Sequence, residues 1–231
     1  MSCYVLLPNL GFTQEEVKPN PTRPSATDNA YLTHLGYTEL EFGLALQRNF
    51  WNLPLLLKFS FHENFELGFI MSGLIDHSDE DYDFGAPGFQ IKTQLLNQDW
   101  GAVAAVGRIE FINNTKPKYT LYGVTSLLFP IGQMDGTFAG VFTDQGDGGY
   151  SNALTYAVAL SPNLSAPVGL YVEIYGEASE LSNPVSFDFG VNHAISRKII
   201  IDLAVSFGLN DDAENWVVQV GFTSLLFRAF K

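Results

Sequence analysis

A chain of 231 residues with 12 basic and 25 acidic side chains carries a formal charge of −13 and shows no stripe of clustered lysine and arginine, which excludes nucleic acid as a partner. Its 46% hydrophobic and 16% charged residues exclude a disordered chain, and a single cysteine, Cys3, excludes a disulfide framework and a thiolate metal site. No apolar run approaches the roughly 18 to 20 residues of a membrane helix.

Residues 1–12 contain a short apolar stretch but no basic start and no small-residue cleavage site, so no secretory signal is expected there. From Thr13 to Thr33, Pro19, Pro21 and Pro24 sit among polar residues and favour irregular backbone. Strict alternation begins at Tyr37, the period of a strand with one apolar and one polar face. Leu40, Phe42, Leu44 and Leu46 share one face; Glu39, Glu41, Gly43, Ala45 and Gln47 share the other. Leu55, Leu57, Phe59 and Phe61 then oppose Lys58 and Ser60, and Phe65, Leu67, Phe69 and Met71 oppose Glu66, Gly68 and Ser72. Phe89, Ile91, Thr93 and Leu95 oppose Gln90, Lys92 and Gln94, and Val103, Ala105, Ile109 and Phe111 oppose Ala102, Ala104, Arg108 and Glu110. Two strands near Tyr119 to Leu128 and Gly136 to Thr143 have similarly apolar faces, so the pattern does not orient them. It returns with Leu154 to Leu160, with Leu170, Val172 and Ile174 against Tyr171, Glu173 and Tyr175, and with Phe187 and Phe189 against Asp188 and Gly190. Leu203 and Val205 against Asp202 and Ala204, then Val218 and Val220 against Gln219 and Gly221, complete about twelve strands.

Tight gaps near His62 to Asn64, Asn97 to Trp100, Ser161 to Asn163 and Ser196 to Lys198 alternate with longer, mostly acidic ones. Short turns on one rim and long loops on the other fit an up-and-down barrel crossing an outer membrane. The polar face is rich in Gly, Ala, Ser, Thr and Gln, whereas a solvated sheet face carries many Lys and Glu; the pattern therefore suits an enclosed lumen with lipid on the bulky face. Tyr37, Trp51, Trp100, Tyr119, Tyr150 and Trp216 stand near strand ends, where interfacial girdles form. The expected fold is all-β, a transmembrane antiparallel barrel over residues 36–231, preceded at 1–35 by a periplasmic tail or a lumen plug. A soluble barrel or sandwich around an apolar ligand shares the alternation and stands as the alternative, beside a structural barrel without transport.

The run Arg23-Pro24-Ser25-Ala26-Thr27-Asp28, followed by Gly36, Glu39 and Glu41, resembles the opening of a Gram-negative outer-membrane transporter family labelled for the meta-pathway of phenol degradation. Tyr171 to Glu177, Asp188 to Asn192, Ile201-Asp202-Leu203 and Val220-Gly221-Phe222 resemble its C-terminal part. The resemblance implies a bacterial outer-membrane channel for passive uptake of small molecules, aromatic or hydrophobic ones among them, or of ions. Its partners would be the lipid bilayer, lipopolysaccharide, a small solute and the outer-membrane assembly machinery. Two departures are the missing signal and Lys231 after Phe230, where such barrels end on an aromatic residue.

The candidate lumen and selectivity residues are Glu39, Glu41, Glu66, Glu110, Glu173, Asp188 and Asp202 against Lys58, Lys92 and Arg108, an acidic excess that favours cations unless the groups pair with one another. The loop acids Asp76, Asp79, Glu80, Asp81 and Asp83 fit a calcium loop poorly, because Gly85 falls one position late and no Glu closes it. No metal, cofactor or catalysis is expected: His193 has no serine partner, and His34, His62 and His77 lie in connections.

Overall fold

The computed structural model describes residues 17–78, 81–111, 117–144, 149–164 and 167–230. In chain order the strands are β1 (Tyr37–Gln47), β2 (Phe50–Asn52), β3 (Leu55–His62), β4 (Phe65–Met71), β5 (Asp76–Ser78), β6 (Asp81–Asp83), β7 (Pro87–Gln98), β8 (Gly101–Phe111), β9 (Pro117–Phe129), β10 (Gly132–Asp144), β11 (Tyr150–Pro162), β12 (Val168–Ser179), β13 (Val185–Ser196), β14 (Ile199–Gly208) and β15 (Trp216–Arg228). Each long strand pairs antiparallel with its neighbour, and β15 returns to pair with β1, so the twelve long strands form a closed barrel. Closure satisfies the backbone of both edge strands without any helix.

Following paired residues once around the wall returns to β1 about 14 residues along. With strands about 4.8 Å apart, that shear tilts them by roughly 40° and gives a backbone radius of about 12 Å. Inward side chains on both sides leave roughly 10 Å of clear width, the thickness of one further layer of backbone. Register shifts occur at Tyr37/Glu39, Ser60/His62, Gln94/Leu96 and Ala194/Ser196, all on the rim of the short turns. The bulge in β7 ends the expected alternation at Thr93 and leaves both Leu95 and Leu96 exposed.

The alternation reads out as burial. Asp188 is 0% exposed and its neighbour Phe189 48%. The same contrast separates Glu173 from Val172 and Ile174, and Asp202 from Ile201 and Leu203. The bulky residues therefore cover the outside, and a soluble protein with those side chains in a shared core is not what this chain forms. On β9 and β10, whose faces the pattern left unoriented, Thr120, Val124 and Ser126 point inward with Asp135 and Ala139, while Leu121, Phe129 and Phe138 point outward.

On the long-loop rim β2, β5 and β6 extend the wall beyond β1 as a three-stranded lip, where the sequence pattern suggested plain loops. Trp51, His77 and Tyr82 lie in register across it: Trp51 stacks on His77 at 5.5 Å, and His77 meets Tyr82 edge-on at 4.5 Å. Trp51 pairs with outward Leu46, so this row faces outside, whereas Asn52, Asp76 and Asp83 continue the inward row of Ala45. Of the acids in the calcium-like loop, Asp79 and Glu80 lie outside the described residues.

Candidate functional site: the lumen and its inner segment

The inward rows gather the expected charges. Glu39, Glu41, Lys58, Glu66, Lys92, Glu110, Glu173, Asp188 and Asp202 are all buried, and Arg108 is half-buried beside them. What buries them is the chain's own beginning, since residues 17–36 run inside the barrel in extended, irregular form. Apart from Gly36, which donates to the Ser60 carbonyl of β3 at 2.7 Å, their backbone N–H groups do not join the sheet, so they need other acceptors. The wall carboxylates supply them.

Asn20 donates its N–H to Glu39 at 2.7 Å, and Thr33 donates to Glu66 at 2.7 Å. Glu41 accepts from the N–H and hydroxyl of Thr22, at 2.9 and 2.8 Å, and from the N–H of Arg23. Glu173 receives most: the N–H groups of Ala26 and Thr27 at 2.8 and 2.6 Å, the Ser25 hydroxyl at 2.8 Å, and the Thr27 hydroxyl. On the far wall Ala30 donates to Ser126 Oγ at 2.8 Å, and Ser126 donates in turn to Asp135 at 2.5 Å.

The lysines serve the same segment. Lys58 bridges Glu39 and Glu41 at 2.5 Å each and donates to the Asn20 carbonyl at 2.6 Å. Lys92 pairs with Asp28 at 2.9 Å and donates to the Asn29 carbonyl at 2.5 Å. Arg23 forms a two-pronged pair with Asp202, at 3.2 and 3.3 Å. It fits there because Gly43 and Gly221 face each other across β1 and β15, with Gly221 opposite Asp202 on β14. A Cβ on Gly43 would stand 2.2 Å from the guanidinium, and one on Gly221 2.5 Å. These glycines are sockets for a side chain.

The apolar part of the seat is small. Ala30 is fully buried among Ala102, Ala104, Val106 and Val124, with Tyr31 and Tyr122 packed around them. This explains the run of small residues on β8, where anything larger would occupy the inner segment's place.

Three expected charges stand apart from this network. Glu110 pairs with Lys118 at 3.6 Å near the long-loop rim. Asp188 accepts from Ser206 at 3.3 Å and Tyr171 at 3.4 Å. Arg108 donates to Gln90 and Tyr122. Sequence reasoning missed Arg23 and Asp28, which lie in the segment without periodicity, and Asp135, on a strand whose faces look alike. The cluster Arg23 to Asp28 was visible only as a motif. On the long-loop side of the inner segment remains a cavity of about 280 Å3, bordered by residues of that segment and by Gln90, Arg108, Thr120, Tyr122 and Thr137.

No family model matches this chain, and no curated protein matches it. Among solved structures it is similar to the NanC porin, with a TM-score of 0.63 and 8% identity over 82% of this chain and 100% of the other. It is similar to the KdgM porin in complex with disordered oligogalacturonate, with a TM-score of 0.62 and 9% identity over 82% and 99% of the two chains. An outer membrane channel from Pseudomonas putida F1 aligns with a TM-score of 0.63 and 10% identity over 89% and 99%. The fold is that of an outer-membrane porin. At these identities the likeness concerns architecture, and the narrower phenol-pathway label finds no matching family model.

Proposed function

We propose that this protein is a channel of a bacterial outer membrane, through which small solutes pass passively, and that residues 17–36 form a plug closing its short-turn half. One observation carries the reading: polar contacts dominate the hold on the inner segment, and its apolar seat is confined to Ala30 and its neighbours. A permanent core is held by close-packed apolar volume, whereas hydrogen bonds and ion pairs exchange with water at small net cost. The outward belt of Leu, Ile, Val and Phe suits hydrocarbon, and Trp51, Trp100, Tyr150 and Trp216 at the strand ends suit the interface with lipid headgroups and lipopolysaccharide. In this reading Glu39, Glu41, Glu66 and Glu173 are first the acceptors that seat the plug and become a cation-favouring lining when it leaves. The polar cavity above the plug favours a polar solute over an aromatic hydrocarbon. The test is conductance in planar bilayers, comparing the full chain with a variant lacking residues 1–33. The variant is expected to conduct several-fold more; equal conductance from a correctly folded, heat-modifiable barrel overturns the plug.

A further inference from the structure

Among the described residues, the cations that line the lumen wall and Arg23 are matched with carboxylates, with one exception. Lys58 has Glu39 and Glu41, Lys92 has Asp28, and Arg23 has Asp202. Arg108, among the described residues, has no carboxylate within ion-pair distance. Its Nη2 donates to Gln90 Oε1 at 3.0 Å and to Tyr122 Oη at 3.2 Å, its guanidinium carbon lies 5.6 Å from the centre of the Tyr122 ring, and its Nε is buried without a partner. Gln90 reaches it by lying across Gly68, where a Cβ would come 2.5 Å from Gln90 Cγ. A guanidinium offers five N–H donors, and two neutral acceptors leave most of them unspent. Glu110 and Asp28 act on Arg108 at longer range but are themselves paired with Lys118 and Lys92, so the wall holds an oriented charge that no carboxylate of the described residues touches, a costly arrangement away from water.

Arg108 borders the 280 Å3 cavity, and the rest of the lining says what sort of anion suits it. Thr120, Thr137 and Thr155 present hydroxyls from three successive strands, that of Thr137 accepting the Asp28 N–H at 3.1 Å and keeping its own O–H to donate; Leu56 and Ala139 supply small apolar surfaces, and the plug forms the floor. Asp28 on that floor is already engaged by Lys92. The volume exceeds the ~150 Å3 that accepts benzene, so the space suits a small organic molecule better than a halide. We propose that this cavity binds a small hydroxylated carboxylate, with its carboxylate on Arg108 and its hydroxyls on Thr120, Thr137 and Thr155. The site deepens the channel reading and rests on it for the solute's passage, although binding itself does not require conduction.

The probes are D-glucuronate and its neutral counterpart D-glucose, titrated by calorimetry into the full barrel in detergent. Glucuronate is expected to bind at least tenfold more tightly than glucose, and R108Q is expected to weaken glucuronate at least tenfold while leaving glucose unchanged. T155V, on another strand of the cavity wall, is expected to weaken glucuronate several-fold and keeps the test decisive if R108Q does not fold. Absence of glucuronate heat, or equal affinity in the folded variants, overturns the site. Arg108-dependent binding in a barrel that conducts nothing, even without residues 1–33, upholds the site and removes the channel reading. A conducting barrel with no such binding does the reverse.

Discussion

Replacing Glu173 by alanine removes the acceptor on which four donors of the inner segment converge. The Thr27 N–H is buried and, without Glu173, keeps only the neighbouring Ser25 hydroxyl at 3.0 Å as acceptor, so losing this charge-assisted bond costs about 1–2 kcal/mol. The Ser25 and Thr27 hydroxyls and the more accessible Ala26 N–H lose charge-assisted bonds but regain part of the loss from water in the adjoining cavity. Together these give about 3 kcal/mol less seating energy. At about 1.4 kcal/mol per tenfold, the segment should open on the order of a hundredfold more often. The wall is not expected to weaken, because Glu173 stands opposite Asp188 across β12 and β13, and alanine relieves that like-charge pairing. Hydrogen exchange read by mass spectrometry in detergent separates the two: peptides covering residues 22–31 should exchange about a hundredfold faster while those of β12 and β13 stay protected. Unchanged exchange in the inner segment would refute the claim that wall carboxylates hold it. E173Q keeps the shape and one carbonyl acceptor and should fall between the two.

Gly43→Ala drives a methyl into the Arg23 guanidinium and should free the segment near residue 23 much as Asp202→Asn does; exchange of those amides at wild-type rate in both variants would remove the socket from the account. Phe189→Arg places a charge on the outer face midway along β13, at an expected cost of about 2–4 kcal/mol; an unchanged urea midpoint for folding into lipid vesicles would mean that this face does not meet hydrocarbon. On the lip, burial first and neighbouring Asp83 second raise the Asp76 carboxyl above its ordinary value of 3.8. A raised acid binds its proton more tightly when folded, so the lip is most stable below 3.8 and loosens as pH rises through the higher folded value. Amides of β5 should accordingly exchange faster relative to their intrinsic rates at neutral pH than in acid, and D76N should abolish the difference.

The wall was legible in the sequence because a period of two has one physical cause, and a closed sheet with unlike surroundings on its two sides imposes it on nearly every strand. Glu41, Lys58, Glu173 and Asp202 could be placed on the inner rows for that reason. Their partners could not. Residues 17–36 have no period, and whether Arg23 meets Asp202 depends on a distance across the lumen, 179 positions away in the chain. The acidic excess also counts charge without counting its consumers: backbone N–H groups of Asn20, Thr22, Thr27 and Thr33 carry no formal charge, yet they engage the carboxylates. The lip escaped notice because strands as short as Phe50–Asn52 and Asp81–Asp83 are too brief for alternation to register.

The socket for Arg23 has a consequence for how the molecule is made. Its walls come from the first strand and the last two, so the niche does not exist until the two ends of the sheet have met. A nascent, gaping barrel offers this arginine nowhere to settle. Seating of the leading segment is thus coupled to completion of the cylinder, and the last step of folding zips a seam and locks in place the chain's own beginning.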